Sequence, residues 1–144
     1  LMMKARDARR ISDLTELNKS LGLALADEKI TLVALGTTAA GNGTLGSCAT
    51  PSTSIAGALG WVRFTPTAAT TGMGEFLSAL PLDPKNVAPG CYYFDSQVAA
   101  AGIPASWELN AVLESADSVT KMANDGGNSP LRYELGTAPG LTLI

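Results

Sequence analysis

Apolar residues recur at helical spacing through the first 27 positions. Ile11, Leu14, Leu17, Leu21 and Leu25 fall on one stripe, and Asp13, Glu16, Lys19 and Ser20 point away from it. The spacing predicts one long amphipathic helix over residues 1–27. Ahead of the stripe, Lys4, Asp7, Arg10 and Asp13 alternate in sign at i,i+3, and Arg9 meets Asp13 at i,i+4. Such pairs contribute roughly a few tenths of a kcal/mol each to an exposed helix. Extending the stripe backwards puts Arg10 and Asp7 on it, where a core-facing helix carries apolar side chains. The first ten residues are therefore expected to leave the core and project into solvent. No Ser, Thr, Asp or Asn caps the start, which reads Leu1, Met2, Met3. A further helical segment is expected ahead of residue 1.

Beyond the helix the period changes. Residues 29–35 (KITLVAL) form a short β-branched apolar run, and residues 36–57, rich in Gly, Thr, Ser and Ala, read as loop. A short strand is expected at 61–64, closed by Pro66, and two turns of helix at 74–80. Pro81 and Pro84 then force an extended corner. Residues 91–97 (CYYFDSQ) are strand-like. The clearest alternation is at 107–114, where Trp107, Leu109, Ala111 and Leu113 are interleaved with Glu108, Asn110 and Glu114. After a turn at 124–128 (NDGGN), Leu131, Tyr133 and Leu135 alternate with Arg132 and Glu134 in a last strand. The order is a helix, a variable loop, and three or four antiparallel strands. It predicts an α+β domain with the long helix packed on one face of a small antiparallel β-sheet.

Composition narrows the function more than the fold. The chain has 144 residues, enough for one domain with its own core, and only 6% of them are aromatic. It has no histidine, which removes the commonest acid/base group and metal ligand. The formal net charge is -3, and the charge outside the helix is acidic, against a nucleic-acid surface on the globular part. No segment has the apolar length of a membrane span. Cys48 and Cys91 both lie in turn-rich surroundings. They read either as two independent buried thiols or, the preferred reading, as one disulfide formed in an oxidising compartment. Closing a loop of that size is worth roughly 4 kcal/mol on the chain-entropy model.

Several motif matches lack the context their chemistry needs. The segment GNGTLG at 41–46 fits a dinucleotide-binding pattern, but the following SCATP cannot start the helix that would meet a phosphate. Ser118 and Lys121 fit S-x-x-K without the accompanying elements of a serine acyl-enzyme site. Asn18 and Asn42 open formal glycosylation sequons. Asp117, Asn124, Asp125 and Asn128 place oxygen ligands around a glycine turn, as calcium loops do, but without the 1-3-5 carboxylate spacing. A plain Asx-turn is the preferred reading there, with a calcium loop as the minority alternative. No cofactor is expected.

Taken together, the helix KARDARRISDLTELNKSL, the corner LPLDPKN, the strand pair CYYFDSQ and WELNAVLES, and the tail NDGGN with RYELGT resemble the bacterial type IV pilin and type II secretion pseudopilin family. The likeness is closest to the small major pseudopilins and weakest over residues 30–73. It implies a single pilin-like domain over 1–144: helix at 1–27, a variable region at 28–73, and sheet with C-terminal loops at 74–144. It further implies an apolar N-terminal helix segment, processed by a prepilin peptidase, that anchors the subunit in the inner membrane and then packs into a helical filament. The chain is accordingly read as an N-terminally truncated, soluble, extracytoplasmic domain. Its partners would be further copies of itself and other pilin-like subunits, with no nucleic acid and no enzymatic activity. The alternative is a minor pilin acting as an adhesin or DNA-uptake module, whose 36–73 loop, with Trp61, Arg63 and Phe64, would carry the binding surface. The resemblance also implies a calcium site in the C-terminal loop, matching residues 117–128, whose ligand set departs from the family pattern.

Overall fold

The computed structural model describes residues 1–33, 42, 47, 48, 52–67 and 73–144. Helix α1 runs unbroken over Met2–Ala26, and no side chain caps its start. Its end is a Schellman turn: the Glu28 amide donates to the Leu25 carbonyl at 3.1 Å and the Lys29 amide to that of Ala24 at 2.9 Å. Glu28 takes the left-handed position (φ 57), which usually falls to glycine. This turn reverses the chain into β1 (Ile30–Thr31), which pairs antiparallel with β2 (Thr65–Pro66). The main sheet is three-stranded and antiparallel, in the order β3 (Tyr93–Gln97), β4 (Ser106–Ala111), β5 (Tyr133–Gly136). A 3-10 turn at Ala116–Ser118 leads into a short helix α2 (Val119–Ala123), an element the sequence pattern does not announce.

Register decides which residues face the helix. Phe94, Leu109 and Leu135 align across the three strands, flanked by Trp107, Ala111 and Tyr133. Against this face α1 lays Leu14, Leu17, Leu21 and Ala24, all fully buried, and Leu25 packs on the margin. Burying a side chain of this size contributes about 1.5–3 kcal/mol each, so the stripe is a main source of cohesion. Three polar ends lock the packing laterally. The Trp107 indole donates to Asn18 Oδ1 at 2.9 Å, the Tyr92 hydroxyl to Asp13 Oδ2 at 2.7 Å, and the Trp61 indole to the Pro81 carbonyl at 2.8 Å.

The structure departs from the expected elements where backbone donors find other partners. Residues 61–64 form no strand: the loop folds back on itself, with the Trp61 amide on Ser52 and the Phe64 amide on Gly57, and Trp61, Val62 and Phe64 all turn inward. The two helical turns expected at 74–80 reduce to one turn, because the Leu80 amide pairs with Thr53 and Pro81 follows. Strand β4 stops at Ala111 rather than running to 114, since the amides of Glu114 and Ser115 go to the Asp7 carboxylate. Of the run 29–35, only Ile30 and Thr31 are strand, and Ala34 and Leu35 lie outside the described residues.

Glu28→Gly should raise stability by about 0.5–1 kcal/mol, because glycine takes the left-handed position without the Cβ clash. Urea denaturation with an unchanged m-value would register the gain; a loss would show that the Glu28 side chain contributes more than its backbone costs.

Candidate functional site

Two polar clusters lie outside the apolar core, one at the start of α1 and one on the far face of the sheet. The first corrects, at Arg6, Asp7 and Arg10, the expectation that residues 1–10 leave the core and project into solvent. Arg10 and Asp7 are each only 2% exposed. The Arg10 guanidinium forks onto Asp83, with Nε to Oδ1 at 2.5 Å and Nη2 to Oδ2 at 3.1 Å. Its Nη1 donates to Asp7 at 3.0 Å and to Glu114 at 2.6 Å. Arg6 makes a second fork onto Glu114, and Lys85 reaches the same carboxylate at 3.0 Å. Asp83 also accepts the amides of Lys85 and Asn86, which closes the LPLDPKN corner. Asp7 accepts the amides of Glu114 and Ser115 and the Ser118 hydroxyl, which ends β4 and seats the turn before α2. The helical stripe therefore does continue backwards, as charge pairing instead of apolar packing. Residues 1–5, 8 and 9 of this segment, including Met3 on the same stripe as Asp7 and the 63%-exposed Arg9, do meet solvent.

The titrations follow from this wiring. The Arg6 hydrogen bond, helped against burial by Arg10 and Lys85, holds the Glu114 carboxyl far below the usual carboxylate range. Burial opposes ionisation of Asp7, but the amides of Ser115 and Glu114 and the Ser118 hydroxyl outweigh it and keep its pKa low. Burial works against the Arg10 charge too, and Asp83 and Glu114 more than restore it.

The second cluster occupies the sheet face turned away from α1. Its side chains are Tyr93, Asp95 and Gln97 on β3, Ser106, Glu108 and Asn110 on β4, and Glu134 on β5, with Arg132 just ahead. These positions alternate with the core residues and would ordinarily face water. Instead Tyr93, Asp95, Glu108, Asn110, Arg132 and Glu134 are all buried. Arg132 Nε donates to Asn110 at 2.7 Å, Nη2 to the Cys91 carbonyl at 3.0 Å, and the guanidinium stacks over Tyr93 at 4.9 Å. With no carboxylate bonded to it, burial lowers its pKa to about 10. The Tyr93 hydroxyl accepts the Cys48 amide at 3.0 Å beside the Cys48–Cys91 disulfide, whose Cα atoms are 5.8 Å apart. Close approach is enforced by two glycines. A side chain on Gly136 would strike the Trp107 carbonyl, and one on Gly127 would strike the Glu134 carboxylate.

The residues singled out by sequence are scattered and mostly committed to local bonds. Cys48 and Cys91 do form the disulfide. Asp117 pairs with Lys4 at 2.7 Å on the surface, and the Asn124 side chain donates to the Thr120 carbonyl. Asp125 accepts the amides of Gly127 and Glu134, an Asx-turn, and Asn128 is exposed. Among the described residues no three His, Cys, Asp or Glu groups are placed to hold a metal ion. Ser118 shares its hydroxyl with Asp7 and Ser115 while Lys121 points outward, so no nucleophile and base meet there. The sequon asparagines are occupied: Asn42 is buried and donates to the Tyr92 carbonyl, and Asn18 receives Trp107. Most of the GNGTLG segment lies outside the described residues. Trp61 and Phe64 belong to the core, and Arg63 donates to the Gly60 carbonyl, so these three do not form an exposed binding patch. Compared with protein-family models, with characterised proteins and with solved structures, the chain matches none.

Removing Arg10 should break the domain. Arg10→Ala leaves Asp83 and Asp7 buried without their cation and should cost about 3–5 kcal/mol in urea unfolding. The native chain should itself lose stability as pH falls below about 4. Carboxyls whose folded pKa is depressed contribute stability above their unfolded value, and that stability disappears as they protonate. Acid titration followed by circular dichroism checks both: Arg10→Ala should unfold at higher pH than the native chain.

Proposed function

We propose that this chain is the globular domain of a filament-forming subunit of the pilin or pseudopilin kind, with a structural role. The observation that carries the proposal is the joint architecture of α1 and the sheet. One face of a 25-residue helix is committed to the domain, its second half to the small antiparallel sheet and its start to the Asp83 corner and the segment after β4, while Met2, Arg9 and Leu23 on its other faces reach solvent. A helix used this way offers a continuous lateral surface to a neighbouring copy while its own domain stays folded. The buried salt-bridge cluster at its start anchors the helix rigidly to the head, so that force on one is transmitted to the other. The Cys48–Cys91 disulfide supports an oxidising, extracytoplasmic location. On this reading an apolar helix preceding Leu1 would hold the subunit in the inner membrane before assembly, and other pilin-like subunits would join the same filament. Neither described cluster converges an acid, a base and a nucleophile on open space, which favours assembly over catalysis.

The neighbouring arginines Arg9 and Arg10 differ in their surroundings. Arg10 is a folding residue, whereas Arg9 is exposed and holds Asp13 only at 3.8 Å. Arg9→Glu should therefore change the stability of the soluble domain by less than about 1 kcal/mol. Joined to an apolar N-terminal helix and expressed beside a pilus or pseudopilus assembly machinery, the native chain should be recovered in sheared filaments and Arg9→Glu in several-fold lower yield. The soluble chain by itself should sediment as a monomer. Absence of filaments from the native chain would overturn the proposal.

A further inference from the structure

Among the described residues one buried side-chain nitrogen or oxygen meets no hydrogen-bond partner, and it lies on the far face of the sheet: Glu134 Oε1. Glu108 and Glu134 are diagonal neighbours on this face of adjacent strands, Glu108 standing opposite Gly136 and Glu134 opposite Asn110, and both are buried. Glu108 Oε1 is already engaged, accepting the amides of Leu143 at 3.0 Å and Ile144 at 3.4 Å. Its Oε2 has only a long contact with Asn110 at 3.3 Å. On the other side, Glu134 Oε2 accepts the Ser129 amide at 2.9 Å. Two fully buried carboxylates facing each other repel strongly, and a proton on Glu108 Oε2 donated to Glu134 Oε1 removes the repulsion and fills the empty acceptor.

We infer that Glu108 and Glu134 share a single proton and form a latch that fastens the C-terminal segment and the 125–129 turn to the sheet, released when that proton is lost. Both pieces that cover this face hang on the pair, one through the amides of Leu143 and Ile144, the other through that of Ser129. Glu108 sits on the central strand and cannot retreat, whereas Glu134 is on the edge strand β5 and can.

The surroundings set the direction of the switch. Strand β3 brings the Asp95 carboxyl opposite Glu108 and the Tyr93 ring opposite Asn110. The Arg132 guanidinium is a cation near the pair, but its bonds go to Asn110 and to the Pro89 and Cys91 carbonyls, and Lys121 on α2 lines the same recess as Glu134 but is exposed. Asp125 adds a further carboxylate behind Glu134, holding its backbone amide at 2.7 Å. The C-terminal residues 137–144 (TAPGLTLI) contribute no ionisable side chain. The environment therefore favours one proton on the pair. Burial, then the facing Glu134, push the Glu108 carboxyl up to about 8, so release falls in the mildly alkaline range.

Amide hydrogen exchange of the folded chain, referred to the intrinsic rate at each pH, tests the latch. Between pH 6.5 and pH 9, protection at Leu143 and Ser129 should fall by about tenfold or more, while amides within β3 and β4 keep theirs. Glu108→Gln retains an acceptor for the tail and a donor for Glu134 but cannot lose a proton, so its protection should stay flat. Glu134→Gln removes the opposing charge and should be flat as well. Constant protection in the native chain would overturn the latch. So would an equal loss in both variants, or a fall in the β3 and β4 amides in step with the tail.

Discussion

A guanidinium stripped of water must be met by opposite charge with the right geometry, and Arg10 is met on three sides. Asp7 comes from its own helix, Asp83 from the proline corner, and Glu114 from just beyond β4. Each of these carboxylates has a second task that depends on its being held in place. Asp83 closes the corner with two amides, Asp7 ends β4 and seats the turn before α2, and Glu114 gathers Arg6 and Lys85. The placement of α1, the path of the chain into β3 and the end of β4 thus hang on one ion cluster. An apolar patch of equal volume could stabilise the same contact, but it would fix neither the angle of the helix nor the point at which the strand stops. Here directional bonds do both.

The sheet is correspondingly two-sided. On the helix side, Phe94, Leu109 and Leu135 make an ordinary apolar seam; on the other, a layer of Tyr, Asp, Glu, Asn and Arg side chains is closed off from water. Small and apolar residues of the 137–144 segment make that closure possible, since they supply cover and backbone donors without side-chain charge. A buried polar layer is tolerable only when its members satisfy one another. Arg132 achieves this with an amide oxygen and two carbonyls, and the glutamate pair achieves it with a proton.

What could be read from sequence was whatever depends on local period. The helix boundaries, the middle of its buried stripe at Leu14, Leu17 and Leu21, the alternation that sends Trp107, Leu109 and Ala111 inward, and the Asx-turn at Asp125 all follow from spacing and turn chemistry, whereas Ile11 and Leu25 are only half-buried and Ser20, expected to point away, is buried. What escaped depends on partners distant along the chain. Asp7 and Arg10 look like a solvated charge run because their neutralising groups, Asp83 and Glu114, are more than seventy residues away (|i−j| of 73 and 104 from Arg10). Glu108, Asn110 and Glu134 look like the wet half of an alternating strand, because a covering loop leaves no mark on the strand's own sequence. Both polar clusters were therefore invisible for one reason: polarity predicts exposure only until something distant arrives to cover it.

The two clusters also respond to protons with opposite sign. In the ion cluster, Glu114 and Asp7 ionise more readily folded than unfolded, so folding is favoured once pH exceeds their unfolded values near 4 and loses that help on acidification. In the glutamate pair, Glu108 ionises less readily folded than unfolded. Its contribution is complete below the unfolded value near 4.5 and is given up as pH rises toward about 8. The domain is consequently tightest in the mildly acidic interval just above the unfolded carboxylate values. Its two failures begin at different places. Acid loosens the end of α1 that grips the corner and the end of β4. Alkali loosens the cover over the opposite face of the sheet and leaves the grip on the helix intact.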